Sequence, residues 1–135
     1  MKKKFSTKWN SSSKARKQRK YRFNAPLHLK QKLMSANLSK ELRKTYGKRS
    51  MEIRKNDIIR ILNGKFRNKK GKVLSVDVKR ERVTVEGIQI TKRDGSKVPI
   101  TFHPSNLQII ELNNEDKKRI KRKNESDNKK LEIKK

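Results

Sequence analysis

The sequence predicts a mainly β protein. It should be one small, closed and strongly bent barrel, preceded by a basic extension with two short helices and followed by a charged tail. Three observations carry that expectation. From Ile53 to Leu112 apolar residues recur with a period of two, in short runs rich in β-branched side chains. Hydrophobic residues make up only 30% of the chain and charged residues 40%, so one small core is the most it can support. Finally, 41 Lys and Arg against 13 Asp and Glu give a formal charge of +28 on 135 residues, more than so small a body can bury.

Taken in order, residues 1–20 mix lysines with the serines Ser11, Ser12 and Ser13 and lack either hydrophobic period, which predicts a flexible basic arm. Residues 21–50 predict the extension with its two helices. Pro26 suits a first helical turn, where its missing N–H is not needed, and Leu29 and Leu33 would share a face. The second helix has a cap at Ser39, a ridge of Leu38, Leu42 and Tyr46, and a stop at Gly47. Residues 51–112 carry the strand runs Ile59/Ile61, Leu74/Val76/Val78, Val83/Val85, Ile88/Ile90, Val98/Ile100/Phe102 and Leu107/Ile109. Asn63-Gly64, Asp94-Gly95 and His103-Pro104-Ser105-Asn106 supply the turns between them. Five or six such strands are too few for a two-sheet sandwich, and closure into a barrel would also remove exposed edges. Residues 113–135 alternate acids and bases and read as a charged tail or a frayed helix.

The charge is uneven, and its distribution narrows function. Residues 1–50 hold 17 Lys and Arg against one acid, Glu41. Such a chain repels itself unless dense counterions neutralise it, and nucleic-acid phosphates are the densest a cell offers. No window approaches the roughly 18 apolar residues of a membrane span, and residues 1–20 hold no apolar signal-peptide core, so a cytosolic protein, or a nuclear one in a cell with a nucleus, with no membrane partner is expected. Cysteine is absent, and His28 and His103 lie too far apart in sequence for a metal motif, so neither metal nor cofactor is expected. Catalysis finds no support either: the acids are scattered singly, and no histidine–carboxylate pair or small-molecule substrate is anticipated.

The informative stretch is 55–77, read as strand, basic loop, strand. Gly64 and Gly71 bracket a loop in which Lys65, Arg67, Lys69 and Lys70 crowd together, with Lys72 just beyond. Crowding of this kind is repulsive unless phosphates sit between the side chains, and the glycines would let backbone amides approach them closely. A second cluster is Arg16, Lys17, Arg19, Lys20, Tyr21, Arg22 and Phe23, where either aromatic ring could stack on a base or fill a crevice. His28, Lys30, Lys32, Arg43, Lys44, Lys48 and Arg49 complete the candidate RNA-binding set. Trp9 reads equally as an RNA wedge or an exposed ring.

Stretch 55–77 resembles the KOW motif, whose family fold is a five-stranded SH3-like barrel, with Gly71 falling at its characteristic glycine. The flanks, including Arg22-Phe23-Asn24-Ala25-Pro26-Leu27-His28, Arg49-Ser50-Met51-Glu52-Ile53-Arg54, Val85-Glu86-Gly87-Ile88 and Ile109-Ile110-Glu111-Leu112, resemble the universal large-subunit ribosomal protein numbered twenty-four, numbered twenty-six in eukaryotes, in an archaeal-like form. The resemblance spans about residues 16–116. It implies a structural protein that binds the 5′ region of large-subunit rRNA, acts early in subunit assembly and sits near the peptide tunnel exit. Neighbouring ribosomal proteins, and targeting factors or chaperones at that exit, are the further partners it implies. Two other readings stay open at this point, a KOW-type transcription elongation accessory protein and a basic DNA-compacting protein.

Overall fold

The structure is a computed structural model and describes residues 4–113 together with Glu115 and Arg119. After a 3-10 turn at Thr7–Ser11 come α1 (Ala15–Asn24), α2 (Leu27–Leu33), β1 (Ser35–Leu38), α3 (Lys40–Tyr46) and β2 (Ser50–Glu52). Five strands follow: β3 (Ile58–Ile61), β4 (Lys70–Asp77), β5 (Arg82–Thr91), β6 (Lys97–Phe102) and, after a 3-10 turn at Pro104–Asn106, β7 (Leu107–Glu111).

These strands form one mixed sheet in the order β2-β1-β7-β3-β4-β5-β6. All its pairings are antiparallel except β1 with β7, where Asn37 lies opposite Gln108 and Leu38 opposite Ile109. Alternation along the strands sends one set of side chains inward. Ala36, Leu38, Ile59, Ile61, Val73, Val83, Val85, Leu107 and Ile109 are almost fully buried in one cluster, joined by Met34, Met51, Ile53 and Ile88. Because that cluster takes residues from β1 through β5 and β7, the sheet curls around a single core.

The mainly β class matches the expectation; the five-stranded closed barrel does not appear as drawn. Among the described residues seven strands pair, and the ladder is open between its edges β2 and β6. Of the two extra strands, β1 lies within the extension, where two helices are expected, and β2 straddles its boundary with residues 51–112. Ser35–Leu38 is four residues long with two inward side chains, Ala36 and Leu38, too brief an alternation to stand out between two helices. Leu38, assigned above to the helical ridge, ends this strand and is fully buried.

Within the strands, two irregularities break the simple alternation. The register shifts between Val73 and Ser75 where β4 pairs with β5. Val73 is therefore buried while Leu74, expected inside, is 51% exposed. The runs Val83/Val85 and Ile88/Ile90 are one strand, β5, whose pairing with β6 shifts between Thr84 and Gln89. Ile88 still reaches the core, but Ile90 is 48% exposed because the β5–β6 hairpin has by then run past it.

Helix ends follow local chemistry. The Ser39 hydroxyl accepts from the Leu42 N–H, and Gly47 closes α3 at φ 55°. Pro26 precedes α2 as its cap, its carbonyl accepting from the N–H groups of Leu29 and Lys30. Helix α1 begins inside the arm, taking in its last six residues, and runs on into the extension. Ala15-Arg16-Lys17-Gln18-Arg19-Lys20 are all favourable helix formers, and α1 stops before Pro26, which forces Ala25 into extended geometry (φ −61°, ψ 135°). The tail expected over residues 113–135 lies, apart from Asn113, Glu115 and Arg119, outside the described residues.

Candidate nucleic-acid interface

The β3–β4 loop is held by its own backbone. The Asn68 N–H donates to the Ile61 carbonyl (2.8 Å), the Ile61 N–H to Lys69 (3.0 Å) and the Arg67 N–H to Gly64 (3.0 Å). Gly64 (φ 91°) and Asn68 (φ 66°) take the left-handed conformations this path needs. Phe66 turns inward onto the core and meets Phe102 edge-on (centroids 6.4 Å apart), while the Lys69 ammonium lies 5.4 Å from the Phe66 ring centre. The pinned loop leaves Lys65, Arg67 and Lys69 exposed, with Lys70 and Lys72 exposed at the start of β4 beside it. Gly71 is also constrained by packing. A Cβ there would lie 2.7 Å from Val85 Cγ1 and 2.9 Å from the Glu86 carbonyl oxygen, so its smallness admits β5. Beside it, Lys70, Gly71 and Lys72 line an open depression of about 510 Å³ with Asn56, Ile58 and Asn113.

A second concavity, about 580 Å³, lies between α2 and β2. His28 and Lys32 reach it from α2, Lys48 from the segment after α3, and Arg54 and Glu52 from β2 and its end. Residues singled out in two separate stretches of sequence, His28 and Lys32 in one and Lys48 in the other, are thus brought to one place. Arg54 was not anticipated, because nothing local distinguishes it from other surface cations. Lys30 points elsewhere, its ammonium donating to the Lys79 carbonyl (3.3 Å) and tying α2 to the β4–β5 turn. Lys44 and Arg49 are exposed, and Arg43 is half-buried.

Across the sheet, Asn37, Gln108, Arg60 and Lys70 lie opposite one another on four neighbouring strands. Arg60 donates to the Gln108 side-chain oxygen at 2.6 Å. Arg60 thereby adds a cation that the sequence reading did not select.

In the arm, the Gln18 side-chain amide sits within hydrogen-bond distance of the carbonyls of Trp9 (3.1 Å), Asn10 (2.9 Å) and Ser12 (2.7 Å), folding the 3-10 turn against α1. Tyr21 is buried and stacked on Phe5 (centroids 5.3 Å apart), so it fills a crevice rather than facing outward. Arg16, Lys17, Arg19, Lys20, Arg22 and Phe23 are exposed.

Two polar constellations escaped the sequence reading. Asp57 is completely buried and grips Arg119 through two bonds, Nη1 to Oδ1 (2.6 Å) and Nη2 to Oδ2 (2.8 Å). The carboxylate also accepts from the N–H groups of Arg54 (2.8 Å) and Asn113 (3.0 Å), and Arg119 donates to the Glu52 carbonyl (2.6 Å). With the partners 62 positions apart, no local signal marks the pair. The second corrects the expectation that no histidine would meet a carboxylate: His103 Nε2 lies 3.6 Å from Glu81 Oε2, and Nδ1 lies 2.8 Å from the Ser105 hydroxyl. This is a cap rather than a catalytic group, because the Ser105 N–H donates to Nδ1 (3.3 Å) and occupies the lone pair a base would use.

Fold and surface define a class: a small, mainly β protein that presents cations on open concavities and an exposed loop. A family model for the ribosomal proteins numbered L26 in eukaryotes and L24 in archaea matches residues 12–123. Large ribosomal subunit protein uL24 of Methanothrix thermoacetophila is 48% identical over 110 residues, an alignment covering 82% of this chain and 95% of that protein. The chain belongs to this family of ribosomal proteins. It is accordingly a structural, non-enzymatic constituent of the large subunit, located in the ribosome in the cytoplasm.

Proposed function

We propose that the chain binds large-subunit rRNA through the α2–β2 groove and the β3–β4 loop, bridging RNA segments while the arm fills space between them. The observation that carries this reading is the gathering of His28, Lys32, Lys48 and Arg54 on one groove in which, among the described residues, Glu52 is the only acid. Cations placed together in this way are stabilised when they displace the counterions of a phosphate backbone, and recognition then follows RNA shape more than base sequence.

The family resemblance extends the reading. The RNA contacted is the 5′ region, binding comes early in assembly, and the protein sits near the peptide tunnel exit beside neighbouring large-subunit proteins, with targeting factors or chaperones as later partners. The strand order β7-β3-β4-β5-β6 around one core supports an SH3-like barrel within residues 51–112, flanked by β1 and β2.

A filter-binding titration with the 5′ rRNA fragment tests the electrostatic core of the proposal. For about eight neutralised phosphates, the log–log slope of affinity against salt is expected near −6 to −7. A slope close to zero overturns it, and equal affinity for duplex DNA in competition favours a DNA-compacting role instead.

A further inference from the structure

The arm up to Phe23 holds four described aromatic side chains, and three are already engaged. Phe5 and Tyr21 stack on each other at 5.3 Å with 26° between their planes, and the Lys20 ammonium lies 5.1 Å from the Trp9 ring centre. Phe23, in the last turn of α1, is 83% exposed. A phenyl ring left in water forgoes the burial that makes aromatic residues worth placing. Its presentation is nonetheless fixed. Tyr21, two residues earlier, and Ala25, two residues later, are both buried, and Pro26 stiffens the joint to α2 at φ −64°.

We propose that Phe23 is a stacking platform for one unpaired nucleobase of large-subunit RNA; this rests on the rRNA-binding reading above. Charge selects a base over an apolar protein surface. The chain contains no acid before Glu41, and Arg19 and Arg22 stand exposed beside the ring in sequence. A nucleotide brings a flat π face together with a phosphate to answer those cations, whereas an apolar protein patch brings no countercharge. Every base has such a face, so the platform tolerates any base identity but needs one freed from pairing.

The test uses the full chain and protein-free large-subunit RNA, comparing Phe23→Ala, Phe23→Leu and Phe23→Trp at fixed salt. Phe23→Ala and Phe23→Leu are expected to weaken binding roughly 5- to 150-fold without changing the salt slope, while Phe23→Trp keeps affinity. Base-specific chemical probing should show one unpaired nucleotide protected by the unaltered chain and by Phe23→Trp, but not by Phe23→Ala. The proposal is overturned if Phe23→Ala binds as tightly as the unaltered chain, or if Phe23→Leu restores affinity, which would indicate a simple apolar plug. It is overturned equally if Phe23→Ala binds RNA normally yet enters assembling subunits poorly, since that result assigns the ring to a protein neighbour. Absence of RNA binding by the unaltered chain would remove the rRNA reading as well, so the two failures are distinct.

Discussion

At position 71 one missing side chain decides how closely two strands approach. A methyl group there would press on Val85 Cγ1 and on the Glu86 carbonyl, and backbone cannot swing aside as a flexible side-chain tip can. Gly71→Ala is therefore expected to cost about 1–3 kcal/mol, the usual range for overpacking a tight core. A urea titration gives the check, and an unchanged midpoint would mean that β5 yields freely. This residue also shows where sequence reading stops at the smallest scale. Its position in a recognisable motif was legible, but its reason was not, because Val85 lies 14 residues away in a partner strand whose register no local pattern announces. The aromatic pair behaves similarly. Tyr21 and Phe23 look equivalent in sequence, and only the burial of one against Phe5 separates an internal strut from an outward-facing ring.

Among the elements, those specified by neighbouring residues were legible and those specified by distant partners were not. Helix α3 has its start and stop in its own sequence, at Ser39 and Gly47, and both caps form. Ser39→Ala should remove the bond to the Leu42 N–H and cost about 1 kcal/mol, in the range of other N-cap deletions. Hydrogen exchange should show the loss as faster exchange of the first-turn amides of α3, and unchanged rates there would refute the assignment. Helix α1 was hidden because hydrophobic period was the wrong signal for it. Its basic, unbranched residues have good helix propensity but, with Tyr21 buried alone, no apolar stripe. Strand β1 was hidden for the opposite reason: with two inward residues, it exists only because β2 and β7 flank it. The bulge at Val73/Ser75 likewise reverses which of two adjacent apolar residues is inside, so a correct strand was read with one wrong face.

For the molecule as a whole, the cationic surface was plain from composition, while the way its parts are fastened was not. The most consequential fastening is Asp57 with Arg119, which links the residues before β3 to a position beyond β7. The side chains are 0% and 4% exposed. Removing one partner leaves the other's charge buried and unanswered, so Asp57→Ala is expected to destabilise by about 3–5 kcal/mol. Replacing both residues by apolar ones, Asp57→Leu with Arg119→Met, should recover part of that loss. Chemical denaturation of the two variants measures the difference, and equal losses would show that the pair is not the cause. The groove of His28, Lys32, Lys48 and Arg54 has the same origin in long-range folding. Each cation is ordinary where it stands in the chain, and only the placement of α2 beside β2 makes a shared surface of them.

The position of β7 between β1 and β3 also dictates when this sheet can close up. Without residues 107–111 the ladder falls into two fragments, the pair β2-β1 and the run β3 to β6, and a two-stranded piece in water is marginal at best. During its own synthesis, then, the β2–β1 pair must wait for residues 107–111 to emerge before it has a strand to dock on, because β7 follows every other member of the described ladder in the chain.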